Sequence, residues 1–177
     1  WSKLLMPLLF ILLLILIIYA NGLPGAGKGL TFYLKPDFSK IDGKVILAAL
    51  GQAFFSLSLG MGLMVTYGSY ISREDNLISS GFYVALADTT IAIMAGLVVF
   101  PALFAMKQDP TAGPGLVFNV FPMIFQNMPY GMIIGIIFFI LLSIAALTST
   151  ISLLEVPTAF LVDEKGKARK IAVWLVG

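Results

Sequence analysis

The chain has 177 residues, 59% of them hydrophobic and 11% charged, with a mean hydropathy of +1.00. A soluble domain carries about 25% charged residues, so this composition excludes a water-soluble globular protein and points to an integral membrane one. Eleven Lys and Arg against nine Asp and Glu leave a formal net charge of +2, too small and too evenly spread for a nucleic-acid footprint. The chain lacks Cys and His, which removes disulfides, thiolate chemistry, Cys metal sites and the commonest proton shuttle.

A charge at the bilayer centre costs roughly 2.5 to 3.5 kcal/mol, and about 20 apolar residues cross the hydrocarbon, so charge-free runs mark the spans. The first helix covers about 1–20, with Leu4 to Ala20 as its apolar body, and Asn21, Gly22, Pro24 and Gly25 end it. The second lies in the charge-free stretch 45–72, and the third covers 76–106 with a single charge, Asp88, near its middle. A fourth, 129–162, starts at Pro129, which suits a first helical turn, and carries Glu155 and Pro157 near its far end. Residues 169–177 begin another. Because the chain opens at Trp1 without Met and stops at Gly177 inside an apolar stretch, it is expected to be an internal fragment of a longer polytopic protein. The first apolar run has no small-residue cleavage site to make it a signal peptide.

The connections are unequal. Residues 21–44 mix Gly, Lys and Pro with Phe32, Tyr33 and Phe38; Arg73, Glu74 and Asp75 join spans two and three; and 107–128 holds Asp109-Pro110 and Gly113-Pro114-Gly115 before an apolar piece, Leu116 to Phe125. Connections this long and aromatic are usually functional, and a lid is the expectation for 107–128, with a solvated loop as the plainer alternative. Lys and Arg orient the chain weakly: with the Trp1 side cytoplasmic, six fall there and five opposite, the dense cluster from Lys165 to Lys170 on the cytoplasmic side.

Gly22-Leu-Pro-Gly-Ala-Gly27-Lys28-Gly29 nearly satisfies the phosphate-binding loop pattern. That loop needs a short buried strand before it, a helix after it, and Ser or Thr following the Lys. Here an apolar span precedes it, Gly29 replaces the hydroxyl and Pro36 discourages a long helix, so a Gly-rich turn leaving the membrane is the better account.

Three features inside the spans can carry chemistry. Phe54-Phe-Ser-Leu-Ser-Leu-Gly-Met-Gly62 places two serines and two glycines in mid-membrane. Either the helix is broken there, exposing carbonyls, N–H groups and helix-dipole ends to a cation and a carboxylate, or the small residues serve close packing. Ala145, Thr148, Ser149 and Ser152 share one helical face, where a carbonyl and hydroxyl oxygens could converge on a sodium ion or bond to a neighbouring helix. Asp88 is an ionisable group in the bilayer interior, which by default marks an ion pathway. Its partner is a bound cation, a proton, or a group from elsewhere in the protein.

Several long motifs in one order, Met6-Pro-Leu-Leu-Phe10, Phe32-Tyr-Leu-Lys-Pro-Asp-Phe-Ser39, Ala49-Leu-Gly-Gln-Ala-Phe-Phe-Ser-Leu-Ser-Leu-Gly60 and Ala146-Leu-Thr-Ser149, resemble the neurotransmitter:sodium symporter family and its bacterial amino-acid transporters. The resemblance implies an all-α membrane protein: four complete transmembrane helices plus the start of a fifth, part of an inverted-repeat sodium symporter fold with one broken helix. The 177 residues would form a fragment of a single transporter domain, from helix five to the start of helix nine. By the same resemblance, the unwound part of helix six falls at Ser58 to Gly62. Ser58, Gly60, Met61, Ser149 and Leu153 contact the substrate, and Phe55 closes over it as an outer gate. Ser56 and Asp88 match ligands of one sodium ion; Ala145 (through its carbonyl), Thr148 and Ser149 match a second sodium site. Tyr70 and Asp163 match an inner gate.

Chloride-dependent members of the family have Asn at Asp88 and Ser at Ala92, although Gln52 and Ser56 of the anion site remain, so fixed charge on Asp88 is expected to replace chloride. The implied function is sodium-coupled symport of an amino acid by alternating access, with sodium as coupling ion and no other cofactor. The apolar, flexible Met61 and Leu153 point to a hydrophobic substrate. Other expected partners are the lipid bilayer and the N-terminal helices of the same protein, which would complete both sodium sites and without which the fragment would be inactive; a homodimer is allowed. The expected location is the bacterial cytoplasmic membrane, as a multi-pass protein. Competing readings are an ion channel subunit using Asp88 for selectivity and a non-transporting amino-acid sensor on the same fold. An intramembrane enzyme would need a second embedded catalytic carboxylate that the spans do not offer.

Overall fold

The computed structural model describes residues 2–72, 76–108 and 115–177, and these are helical with no strand among them. The short connection 73–75 and the Asp109 to Pro114 part of the expected lid lie outside the described residues. The elements are α1 (Ser2–Asn21), α2 (Ala26–Leu34), α3 (Gly43–Ser56), α4 (Leu63–Gly68), α5 (Leu77–Ala105), α6 (Leu116–Gln126), α7 (Gly131–Asp163) and α8 (Arg169–Val176), with 3-10 turns at Phe38–Lys40 and Leu59–Met61. Among them α1, α5 and α7 are long and apolar enough to cross a membrane. At 1.5 Å per residue α5 and α7 extend about 44 and 50 Å, well beyond a hydrocarbon core of about 30 Å. Two compact units divide the chain, Trp1–Ser39 with Thr89–Ala145, and Lys40–Asp88 with Ala146–Gly177.

The first unit holds the main core. Leu12, Leu13, Leu16 and Ala20 of α1 meet Met94, Val98, Val99, Ala102 and Leu103 of α5, Val120, Phe121, Ile124 and Phe125 of α6, and Phe138 and Leu141 of α7. The Phe121 ring stacks on Phe138 at 4.6 Å between centroids, an offset contact worth about 0.5–1.5 kcal/mol beyond the area it buries. Asn21 ends α1 by donating its amide to Ile17 O (2.7 Å) and to Leu97 O of α5 (3.1 Å), which fastens the helix end where the Gly-rich turn begins.

Both long connections contain helix. In 21–44 the turn ends at Gly25, whose φ of 95° opens α2, and α2 lies directly on α5. A Cβ at Gly29 would stand 2.3 Å from Phe100 O, so only glycine permits that approach. Tyr33 stacks on Phe100 at 4.8 Å. The near-phosphate-loop glycine therefore serves helix packing. In 107–128 the apolar piece is α6, and the Tyr19 hydroxyl of α1 donates to the Asn127 carbonyl just beyond it. Pro129 does not open α7, the fourth span expected from the sequence: Tyr130 follows it with φ of 57°, and α7 begins at Gly131.

The second unit is less buried, its enclosed residues being Leu63, Thr158, Ala159 and Ala172. Asp42 caps α3 by accepting from Val45 N at 2.8 Å, as N-cap carboxylates do. The charge-free stretch 45–72 is no continuous rod. After Leu57, Ser58 adopts the left-handed conformation (φ 57°, ψ 26°), a 3-10 turn covers Leu59–Met61, and Gly62 (φ 74°, ψ −8°) starts α4. The broken helix, left open against close packing by the Ser and Gly spacing, is the arrangement found.

Candidate functional site

The break builds a pocket within the second unit. A cavity of about 450 Å³ is lined by Phe55, Ser56, Ser58 and Met61 at the break, Met64 and Tyr67 of α4, Val84 and Asp88 of α5, and Ser149, Ser152 and Leu153 of α7. Eight sequence-derived candidates are thereby brought together: Phe55, Ser56, Ser58, Met61, Asp88, Ser149, Ser152 and Leu153. Gly60 sits in the 3-10 turn, but does not line the cavity. A larger cleft of about 850 Å³ in the first unit runs along α6 and the start of α7, past Phe125, Met128, Met132 and Phe139. Its lining is mainly apolar, with Gln126 and Ser143 as the polar side chains and no charged one.

The polar centre of the smaller pocket is a contact between two helices. Ser56, the last residue of α3, donates its hydroxyl to both Asp88 carboxylate oxygens, at 2.7 and 2.8 Å. α3 stops there, and although the Leu57 and Ser58 N–H groups donate to Ala53 O and Phe55 O at 3.0 and 3.1 Å, its C-terminus carries the negative end of the helix dipole. A carboxylate, a hydroxyl oxygen and a carbonyl-rich helix end form a hard, oxygen-only environment of net negative character, suited to a sodium ion beside a polar ligand.

On α7, Thr148 and Ser149 follow Ala145 on one helical face, and Ser152 donates back to Thr148 O at 3.1 Å. That bond uses the Ser152 hydroxyl within its own helix. Gln52 is one turn before Ser56 on α3, and Ala92 is one turn after Asp88 on α5.

Of the two residues expected at an inner gate, Tyr70 has a carboxylate partner. Tyr70 donates to Glu155 Oε1 at 2.8 Å, and the Arg169 guanidinium reaches both Glu155 oxygens at 2.7 and 2.8 Å. Tyr70 thus belongs to a three-residue cluster whose centre is Glu155. Asp163, at the exposed end of α7, is outside it. By sequence Glu155 and Asp163, both near the end of the span, suit a solvated or a gate-network role, but nothing in their spacing named Arg169, which comes from the next helix. Met64, Tyr67 and Val84 are further lining residues the motifs missed. They are ordinary apolar members of their helices, visible only once the break turns α4 toward the cavity.

The comparisons with known proteins agree with this architecture. A model of the sodium:neurotransmitter symporter family matches residues 1–176. An uncharacterised sodium-dependent transporter of Haemophilus influenzae is 46% identical over 173 residues, 98% of this chain and 38% of that protein. The uncharacterised sodium-dependent transporter YhdH of Bacillus subtilis is 39% identical over 176 residues, 99% of this chain and 39% of that protein. The crystal structure of MhsT in complex with L-phenylalanine is similar to this fold with a TM-score of 0.94 at 51% identity, covering 98% of this chain and 40% of that one. The chain thus spans about two fifths of the length of these relatives. With an all-helical fold, membrane-length apolar helices, a helix broken at Ser58 to Gly62 and a family model matched from end to end, this multi-pass membrane chain belongs to the sodium:neurotransmitter symporter family.

Proposed function

We propose that the protein containing this chain couples inward sodium movement to uptake of a hydrophobic amino acid, and that the pocket at the α3–α4 break is its substrate and ion site. The observation that carries the reading is the Ser56–Asp88 contact at the end of a broken membrane helix. Ser56 and Asp88 hold one sodium ion, which the substrate carboxylate also touches. The Ala145 carbonyl with Thr148 and Ser149 contributes to a second sodium site. Ser58, Gly60, Met61, Ser149 and Leu153 hold the substrate, with Phe55 above it as outer gate. The apolar lining from Met61, Met64, Val84 and Leu153 favours an aliphatic or aromatic side chain, and the relative MhsT was crystallised with L-phenylalanine.

Coupling follows from linkage. Sodium drives uptake only if sodium and substrate stabilise the same occluded state, since a ligand shifts an equilibrium by no more than its differential affinity. A shared contact between sodium and the substrate carboxylate supplies that difference, and each charge crossing 100 mV releases about 2.3 kcal/mol. The Tyr70–Glu155–Arg169 cluster serves as the inner gate, with Asp163 nearby in sequence at the α7 terminus. Asp88 provides the fixed negative charge that makes chloride unnecessary.

The test is uptake of labelled phenylalanine and leucine by the full-length protein in proteoliposomes, beside Asp88→Ala. Uptake that requires a sodium gradient and is lost in the variant supports the reading. Binding that is indifferent to sodium, with no flux, overturns it in favour of a sensor.

A further inference from the structure

The turn from α7 to α8 has features that neither the ion site nor the gate uses. Lys165, Lys167 and Lys170 are all exposed, and among the described residues no carboxylate pairs with any of them. Arg169 is committed to Glu155. Asp163 and Glu164, both exposed, are the acidic neighbours; with Arg169 balanced by Glu155, three lysines against two carboxylates leave residues 163–170 slightly positive.

The fold holds these lysines close to the end of a membrane span. Glu155 lies eight residues before the end of α7, about 12 Å along its axis, and its pairing with Arg169 ties the first residue of α8 to α7. The intervening 164–168 turn, with Gly166 at φ 59°, is too short to leave the surface. Beyond it α8 exposes Ile171, Val173, Trp174 and Leu175, with Trp174 88% exposed. Lys170 and Trp174 are four residues apart and share a helical face. Together with Arg169 and Val173 they line a shallow cleft of about 470 Å³. An ammonium one turn from an exposed indole matches the two depths of a lipid interface: Trp rings favour the headgroup boundary, and lysines beside a span attract anionic headgroups.

We infer that the Lys165, Lys167, Lys170 and Trp174 surface binds the phosphodiester headgroup of an anionic phospholipid. The lysines contact the phosphate oxygens, and Trp174 with Val173 lies against the glycerol and upper acyl chain.

The test uses the full-length protein in phosphatidylcholine vesicles carrying spin-labelled phosphatidylglycerol or spin-labelled phosphatidylcholine. The unmodified protein is expected to retain the phosphatidylglycerol label preferentially, and Lys165→Gln/Lys167→Gln/Lys170→Gln to lose that preference while retaining the phosphatidylcholine label as before. Because the three side chains are exposed, the variant should fold; raising salt on the unmodified protein gives the same loss without any substitution. Equal retention of both labels by the unmodified protein, or an undiminished preference in the triple variant, would overturn the assignment. So would displacement of the labelled lipid by inorganic phosphate at constant ionic strength, which would point to a soluble anion. None of these readouts depends on whether the protein transports an amino acid.

Discussion

The Ser56 hydroxyl shares its proton between the two oxygens of Asp88, 2.7 and 2.8 Å away, so the last residue of α3 is tied to the middle of α5. A hydrogen bond to an ionised group contributes about 1.5–3 kcal/mol. Ser56→Ala is therefore expected to weaken sodium activation of substrate binding by roughly ten- to a hundredfold, while Ser56→Thr keeps the donor and most of the affinity. Sodium titration of binding to the purified full-length protein measures both, and equal titrations for Ala and Ser at this position would remove Ser56 from the ion site.

The break itself depends on two left-handed residues, Ser58 and Gly62. Placing a side chain in that region costs about 1–2 kcal/mol. At Gly62 an added Cβ would only come into van der Waals contact with Val156 Cγ1, at 3.4 Å, so the backbone conformation carries the cost. Gly62→Ala should lower the thermal unfolding midpoint and reduce uptake together. Ser58→Gly relieves the strain at its own position, so it should raise or preserve the midpoint while weakening substrate binding through loss of the hydroxyl. A matched fall in midpoint for both variants would contradict the strain argument.

Gly27 and Gly29, two residues apart in the same motif, should respond in opposite ways. A Cβ on Gly27 meets nothing within 4 Å, whereas one on Gly29 falls 2.3 Å from Phe100 O and 2.7 Å from Pro101 Cα. Gly27→Ala, inside α2, is expected to be neutral or slightly stabilising, since glycine in a helix costs about 1 kcal/mol relative to alanine. Gly29→Ala must push backbone apart and should destabilise by about 1–3 kcal/mol, read as a lower midpoint in thermal unfolding. Neither change should alter nucleotide binding, which the phosphate-loop likeness would have required.

Those same residues show what was legible in the sequence. The long spans followed from the cost of charge in hydrocarbon, whereas two serines and two glycines at membrane depth left a break and close packing both open, and only the family resemblance put the break at Ser58 to Gly62. Asp88 stood out because an intramembrane carboxylate needs a partner. The chain did not reveal α2 and α6, since connections rich in Gly, Pro and Lys look like loops until tertiary contacts, such as Tyr33 on Phe100 and Phe121 on Phe138, stabilise them. Nor did it reveal that Glu155 takes Arg169. Charge pairs across a turn have no fixed spacing, unlike the i, i+3, i+4 face that linked Ala145, Thr148 and Ser149 from the outset.

Glu155 should act as the hub of its cluster. Glu155→Gln keeps an acceptor for Tyr70 but removes the charge that holds Arg169, so α8 loses its tie to α7. The chain has no native Cys, so in a cysteine-free full-length background a single Ser152→Cys, lining the pocket, reports access cleanly. Labelling by a membrane-impermeant thiol reagent from the Arg169 side should accelerate in Glu155→Gln and change little in Asp163→Asn, because Asp163 is outside the cluster. Faster labelling in the Asp163 variant alone would place the gate at Asp163 and not at Glu155.

The charge on Asp88 makes a last expectation specific. A sodium ion held by a carboxylate is already balanced, whereas one held by an amide leaves uncompensated positive charge in a low-dielectric site, and a mobile anion must then supply the balance. Uptake by the unmodified full-length protein should be the same in chloride and in gluconate. Asp88→Asn should reduce uptake at least tenfold in gluconate, about 1.4 kcal/mol of lost stabilisation. Combining it with Ala92→Ser, which adds a hydroxyl donor one turn along α5, should restore part of that uptake in chloride only. Measuring initial rates for the three proteins in both anions separates the outcomes. Chloride dependence already present in the unmodified protein would mean that Asp88 does not replace the anion, and recovery of the double variant in gluconate would mean that Ala92→Ser acts through packing instead of through a bound chloride.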